Sequence, residues 1–198
     1  MEHRIDILQR FSLRIFSEAS TATVSPSAVI PIFHRWIQKR AVKGLLIDVA
    51  DYTHLPDGPS AMLVGHEANF SLDGNSDRQG LAYWHKRDSN RLLAERLTIG
   101  VRTLLSAALL LESDTASLQK GRLIFCGNEI EFCANDRLVA PKTSDTSSAL
   151  YKILEIFGAR LFGGSPISLT PLENDNRFGF TVKTVKDTSL SQLINNLG

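Results

Sequence analysis

Apolar and polar residues alternate along Phe11, Ser12, Leu13, Arg14 and Ile15, which is the period of a half-buried strand, and a first strand is expected at residues 7–16. The period then changes. SPSAVIPIFHRWIQKRAVKG carries Val29, Ile32, Phe33, Trp36 and Ile37 at helical spacing and reaches Gly44, expected as the helix C-terminal cap. Pro31 is expected in the first helical turn, where its missing N–H matters least. LLIDVA, residues 45–50, reads as a buried strand; the loop DYTHLPDGP follows, with Pro56, Asp57 and Gly58 suited to a type I turn. AMLVGHEANFSL and GLAYWHKR flank a DGNSD turn, so residues 61–87 read as a β-hairpin.

Asp88, Ser89 or Asn90 is expected to cap a helix over 90–113, with Leu93, Leu97, Val101, Leu104, Leu105, Ala108 and Leu111 in one stripe. Its second half is apolar on more than one face, which fits either the centre of the fold or half of an oligomer contact; central burial is the commoner cause. In RLIFCGNEIEFCANDRLVA, Gly127 and Asn128 read as a two-residue hairpin turn, and Asn135 with Asp136 as a second turn leading to an optional third strand. Thr143 to Thr146 offers caps for a helix through Leu150, Ile153, Leu154, Phe157 and Leu161, ending at Gly163 and Gly164. ISLTPL and RFGFTVKTV read as strands joined across ENDN, and DTSLSQLINNLG as a tail able to form one or two helical turns.

The order β-α-β-β-β-α-β-β-(β)-α-β-β-(α) is rich in hairpins and poor in crossovers. It predicts an α+β fold: a mainly antiparallel sheet with three main helices packed on it, in one domain over 1–186, followed by the tail 187–198. A chain of 198 residues with 43% hydrophobic and 22% charged residues suits one well-buried domain. A net charge of +1 provides no broad field for nucleic acid or an anionic membrane. The run Leu97 to Leu111 contains Arg102 and falls short of the roughly 20 apolar residues that cross a bilayer. No secretory signal is read in MEHRIDILQRFSLRIF, and two cysteines, Cys126 and Cys133, are too few for a disulfide framework, so a cytoplasmic setting is expected.

Candidate chemistry centres on LVGHEANFSLDG. If residues 62–72 form an uninterrupted strand, His66 shares the core face with Val64 and Ala68, while Glu67 points the other way. The pair is then structural, unless a bulge at Gly65 turns both to one side. Asp48 at the end of the preceding strand, with Asp51 and His54 in the loop that follows it, forms a second group. With His66, Glu67 and His85 they allow a histidine and carboxylate site for zinc or iron. Asp51, His54, His66 and Glu67 are the catalytic candidates, and Asp51, His54, His66 and His85 the metal candidates. No HExxH or paired CxxC spacing supports a metal, and none is expected.

Asp73, Asn75 and Asp77 imitate a calcium loop, but Arg78 stands where glycine is required. No GxSxG is present, and the glycine pair 163–164 follows a helix instead of opening one, so no cofactor is expected. The basic clusters HRWIQKR and HKRDSNR read as solvated surface, not as nucleic-acid contacts.

IPIFHRWIQ, LLIDVADYTHLPDGPSAMLVGHEANFSLD and NDRLVAP resemble a group of small uncharacterised bacterial proteins over most of residues 10–185. The resemblance implies a bacterial cytosolic protein and assigns no catalytic residue. The expected function is a non-catalytic module that binds a protein or small ligand, as a possible homo-oligomer through the 90–113 helix. The alternative is an enzyme with a pocket around Asp51, His54, His66, Glu67 and His85. The two differ in placement: an enzyme needs at least three of those side chains in one cleft.

Overall fold

The structure, a computed structural model, describes residues 5–18, 24–52, 54, 61–73, 78–118, 121–173 and 177–198. A 3-10 turn at Ile5–Ile7 leads into β1 (Phe11–Phe16) and α1 (Pro26–Lys39). Four strands follow, β2 (Leu46–Asp51), β3 (Ala61–Gly65), β4 (Ala68–Asp73) and β5 (Gly80–His85), and then α2 (Leu93–Thr115). The chain ends with β6 (Glu129–Ala134), α3 (Ser144–Leu161), β7 (Ile167–Pro171), β8 (Phe178–Thr184) and α4 (Leu190–Asn196). The strands form one eight-stranded sheet in the order β2-β3-β4-β5-β1-β6-β8-β7, with every pairing antiparallel. This is the α+β class that the hairpin-rich sequence predicts.

Strand alternation sorts the sheet into two faces. Leu63, Phe70, Tyr83, Leu13, Phe132 and Phe180 lie side by side in register across six strands, and all six are buried. Burying each is worth roughly 1.5–3 kcal/mol. One residue along, Met62, Ser71, Ala82, Arg14, Glu131 and Thr181 form the corresponding row of the opposite face. That face holds itself together with polar contacts. Arg14 pairs with Asp73 at 3.1 Å, Trp84 donates to the Ser71 hydroxyl at 2.8 Å, and the Arg177 guanidinium lies over the Trp84 ring.

The helices pack on the apolar face, with α2 at their centre. It touches β1, β5, α1, α3 and α4, and Leu97, Val101, Leu104 and Ala108 are fully buried. Central burial thus accounts for the main apolar stripe of this helix. Its start lies later than Asp88–Asn90. Gln9 takes the Ser89 backbone, donating to its carbonyl at 3.1 Å and accepting from its N–H at 3.0 Å, and Glu95 accepts from the Leu92 N–H at 3.0 Å. α4, only an option in sequence, forms because Leu190, Leu193 and Leu197 are buried and the helix lies against α2 and α3.

Several local expectations are corrected. α1 begins earlier, with Pro26 in its first turn, so Pro31 lies inside the helix on an exposed position. The helix stops at Arg40, which adopts φ 50°, and Gly44 lies beyond the cap. β1 is shorter than residues 7–16. Gly127 and Asn128 make no hairpin: Phe125 bridges Ser17 and β6 pairs with the same strand, so the chain runs along β1 with an irregularity between. A Cβ at Gly127 would fall 1.6 Å from the Thr188 carbonyl oxygen, so this glycine serves a backbone close approach. After Asn135, the Asp136 carboxylate accepts from the Leu138 and Val139 N–H groups, and no third strand forms there. The turn at 56–58 and most of the DGNSD and ENDN turns lie outside the described residues.

Arg96 fastens the N-terminal segment to α2. Only 3% exposed, it donates to the carbonyls of Leu8, Asp6 and Arg91 and to the Gln9 side chain. Arg96→Met leaves the carbonyls of Leu8, Asp6 and Arg91 and the Gln9 side-chain oxygen without this donor, a loss of about 2–4 kcal/mol. Thermal unfolding should move down by about 5–15 °C; an unchanged midpoint contradicts this role.

Candidate functional site

The stretch expected as one strand is broken at His66 and Glu67. β3 and β4 pair with Leu63 opposite Phe70 and Ala61 opposite Leu72, so the chain reverses between Gly65 and Ala68. A Cβ on Gly65 would lie 2.5 Å from the Ala68 carbonyl oxygen. That close approach is why glycine is needed, and the sequence gives it as a candidate bulge. Both turn residues are tied to neighbouring strands. His66 N–H donates to Leu45 O at 2.8 Å, and Lys86 N–H donates to Glu67 O at 3.1 Å.

The two side chains therefore do not divide between opposite faces. His66 Nδ1 lies 3.6 Å from the Glu67 carboxylate, and its Nε2 meets the Arg87 guanidinium. Both are substantially exposed, so His66 is not a core histidine. His85 is the inward one. Its ring stacks on Phe11 at 4.9 Å, and its Nδ1 is 3.3 Å from the Tyr83 hydroxyl. Burial lowers its pKa from 6.5, and the Arg96 charge adds to that effect.

The five-residue pocket expected for an enzyme is divided. Asp51 pairs with Ala61 and Leu46 with Gly65, which puts Asp51 and His66 at opposite ends of the β2–β3 pair, about 14 Å apart along the strand. His54 lies beyond Asp51 and is exposed. Asp48 accepts from the Val49 N–H at 2.8 Å. His66, Glu67 and His85 share one end of the sheet, where Glu67 lines a hollow. Among the described residues no three His, Cys, Asp or Glu side chains converge to hold a metal ion. Cys126 and Cys133 are both free thiols.

The larger hollows lie along α2. One, of about 780 Å³, runs between Ala41–Lys43 and the α2 residues Thr98 to Ser113, a length of roughly 22 Å at 1.5 Å per residue. A second, of about 300 Å³, continues towards the β3–β4 turn and is lined by Leu45, Leu46, Glu67, Phe70, Tyr83 and Arg91. The two share Lys43, Ile99 and Thr103. Asp114 braces the far end of α2. Its carboxylate accepts from the Trp36 indole at 2.7 Å and from Arg35 at 2.8 Å, fixing α1 against the end of α2.

This groove was missed in sequence. Its signal is the second stripe of the helix, Ile99, Thr103, Ser106, Leu110 and Ser113, spaced by four and three residues beside the buried stripe.

No protein-family model, no curated protein and no solved structure matches the chain. Fold and site together define an α+β sheet protein with a groove beside its central helix. No helix among the described residues is long and apolar enough to cross a membrane.

Tyr83 joins the groove to the core. Burial, with the Glu67 charge adding to it, pushes its phenol up from 10.0 to about 12. A raised pKa in the folded state gives stability that is complete below pH 10 and lost as pH rises towards 12, on the order of 2–3 kcal/mol. Tyr83→Phe should flatten that alkaline loss in denaturant titrations. His85 acts on the acid side: its lowered pKa means that the unfolded chain takes up the proton first, so stability falls as pH drops below 6.5. His85→Gln should remove that dependence; the same acid slope in both proteins would contradict the placement.

Proposed function

We propose that the protein is a non-catalytic binding module whose ligand lies in the groove along α2. The observation that carries this reading is the groove itself. An extended hollow lined by Val42, Ile99, Ala107, Leu109 and Leu110 opens beside the helix on which the fold is built. Concave, mostly apolar hollows with a few polar groups are the usual form of a small-ligand site. The dispersal of Asp51 and His54 away from His66, Glu67 and His85 supports binding over catalysis.

Assembly through the same helix is the second reading. The Ile99-Thr103-Ser106-Leu110-Ser113 seam has the spacing of helix packing, and Ser106 at its middle would let a second copy approach antiparallel. Such a copy would cover the groove.

The neutral fluorescent probe N-phenyl-1-naphthylamine separates the two. It should bind with one site per chain and a micromolar Kd, and Leu110→Glu should weaken it at least tenfold while Met62→Glu, on the opposite face of the sheet, leaves it unchanged. The chain should elute as a monomer. A folded monomer that does not enhance the probe overturns the ligand reading, and a dimer that Leu110→Glu dissociates replaces it with assembly.

A further inference from the structure

The polar lining of the groove is unbalanced in charge. Lys43 lies where the two hollows meet, Arg102 lines the larger and Arg91 the smaller. Four cations elsewhere in the fold are paired: Arg35 with Asp114, Arg14 with Asp73, and Arg78 and Lys183 with Glu129. By contrast, among the described residues the side chains of Lys43, Arg91 and Arg102 make no ion pair and no hydrogen bond. The single carboxylate in the lining, Glu67, has one oxygen turned towards His66. A hollow walled by protein and bearing uncompensated positive charge concentrates anions, because its low-dielectric walls focus the field.

Resting on the groove reading above, we propose that the occupant is an amphipathic anion: a single carboxylate, sulfonate or sulfate head beside Lys43, where the two hollows meet, in the field of Arg102 on one side and Arg91 on the other, with an apolar body along Ile99, Leu109 and Leu110. The apolar stretch selects the body and the three cations select the sign of the head. Nucleic acid fits poorly. The two rings in the lining, Phe70 and Tyr83, are both buried and packed edge to face at 5.5 Å, leaving no exposed platform for a base.

The test compares two probes with the same aromatic body, N-phenyl-1-naphthylamine and its sulfonated form, 8-anilinonaphthalene-1-sulfonate. The sulfonate should bind one site per chain at least tenfold more tightly at low ionic strength, and the advantage should shrink in 1 M salt, where screening acts within about 3 Å. In the Lys43→Gln, Arg91→Gln, Arg102→Gln variant the two probes should bind within about twofold of each other. Arg102→Gln alone should reduce the ratio partway, and it serves if the triple variant does not fold. Decanoate should displace the neutral probe and decyltrimethylammonium should not. Equal binding of both probes, or a ratio unmoved by the substitutions, overturns the anion proposal and leaves the groove reading standing. Failure of both probes overturns both.

Discussion

The approach of α2 to the sheet at Gly100 is the constraint on which the rest depends. A Cβ there would lie 3.0 Å from Leu13 and 3.1 Å from Tyr83, tighter than real side chains normally pack. Because glycine stands at that turn, the helix settles onto β1 and β5, the strands at the middle of the sheet, and α1, α3 and α4 gather around it. Gly158 does the same for α3, where a Cβ would meet Val182 at 2.8 Å and Ile167 at 2.9 Å. Lowering α2 onto the sheet buries its Leu97-Val101-Leu104-Ala108 stripe and leaves its neighbouring stripe as one wall of the groove.

The same contact joins the core to the candidate site. Tyr83 packs against α2 at Gly100, sits in the buried row between Phe70 and Leu13, meets His85 through its hydroxyl and lines the smaller hollow. One wall of the groove is the helix α2 and the other is the short Ala41–Lys43 connection, and near its Ser113 end Asp114 holds Trp36 and Arg35.

Much of the fold was legible because periodicity is local. Alternation through Phe11 to Ile15 and the helical spacing of Leu93 to Leu111 report one face each, and both faces are buried. The errors fall where long-range contacts outweigh local signals. Gly127 and Asn128 have hairpin chemistry, yet β1 captures the chain on both sides of them and Thr188 crosses beside the glycine. Ser89 is a good helix cap, yet Gln9, 80 positions away, holds its backbone. His66 and Glu67 continue an alternating pattern, but the reversal at Gly65 converts them from strand residues to a turn. The groove was least legible of all, since Lys43 and Arg102 are remote in sequence and come together only because the connection after α1 passes beside α2.

The most direct measurement is a methyl-resolved NMR titration of the folded protein with 8-anilinonaphthalene-1-sulfonate. Saturable shifts are expected on Val42, Leu45, Ile99, Leu109 and Leu110, with Met62 and Leu172 on the other side of the sheet unmoved. Shifts centred on the Trp84 face, or spread without saturation over the surface, would contradict a ligand site in the groove.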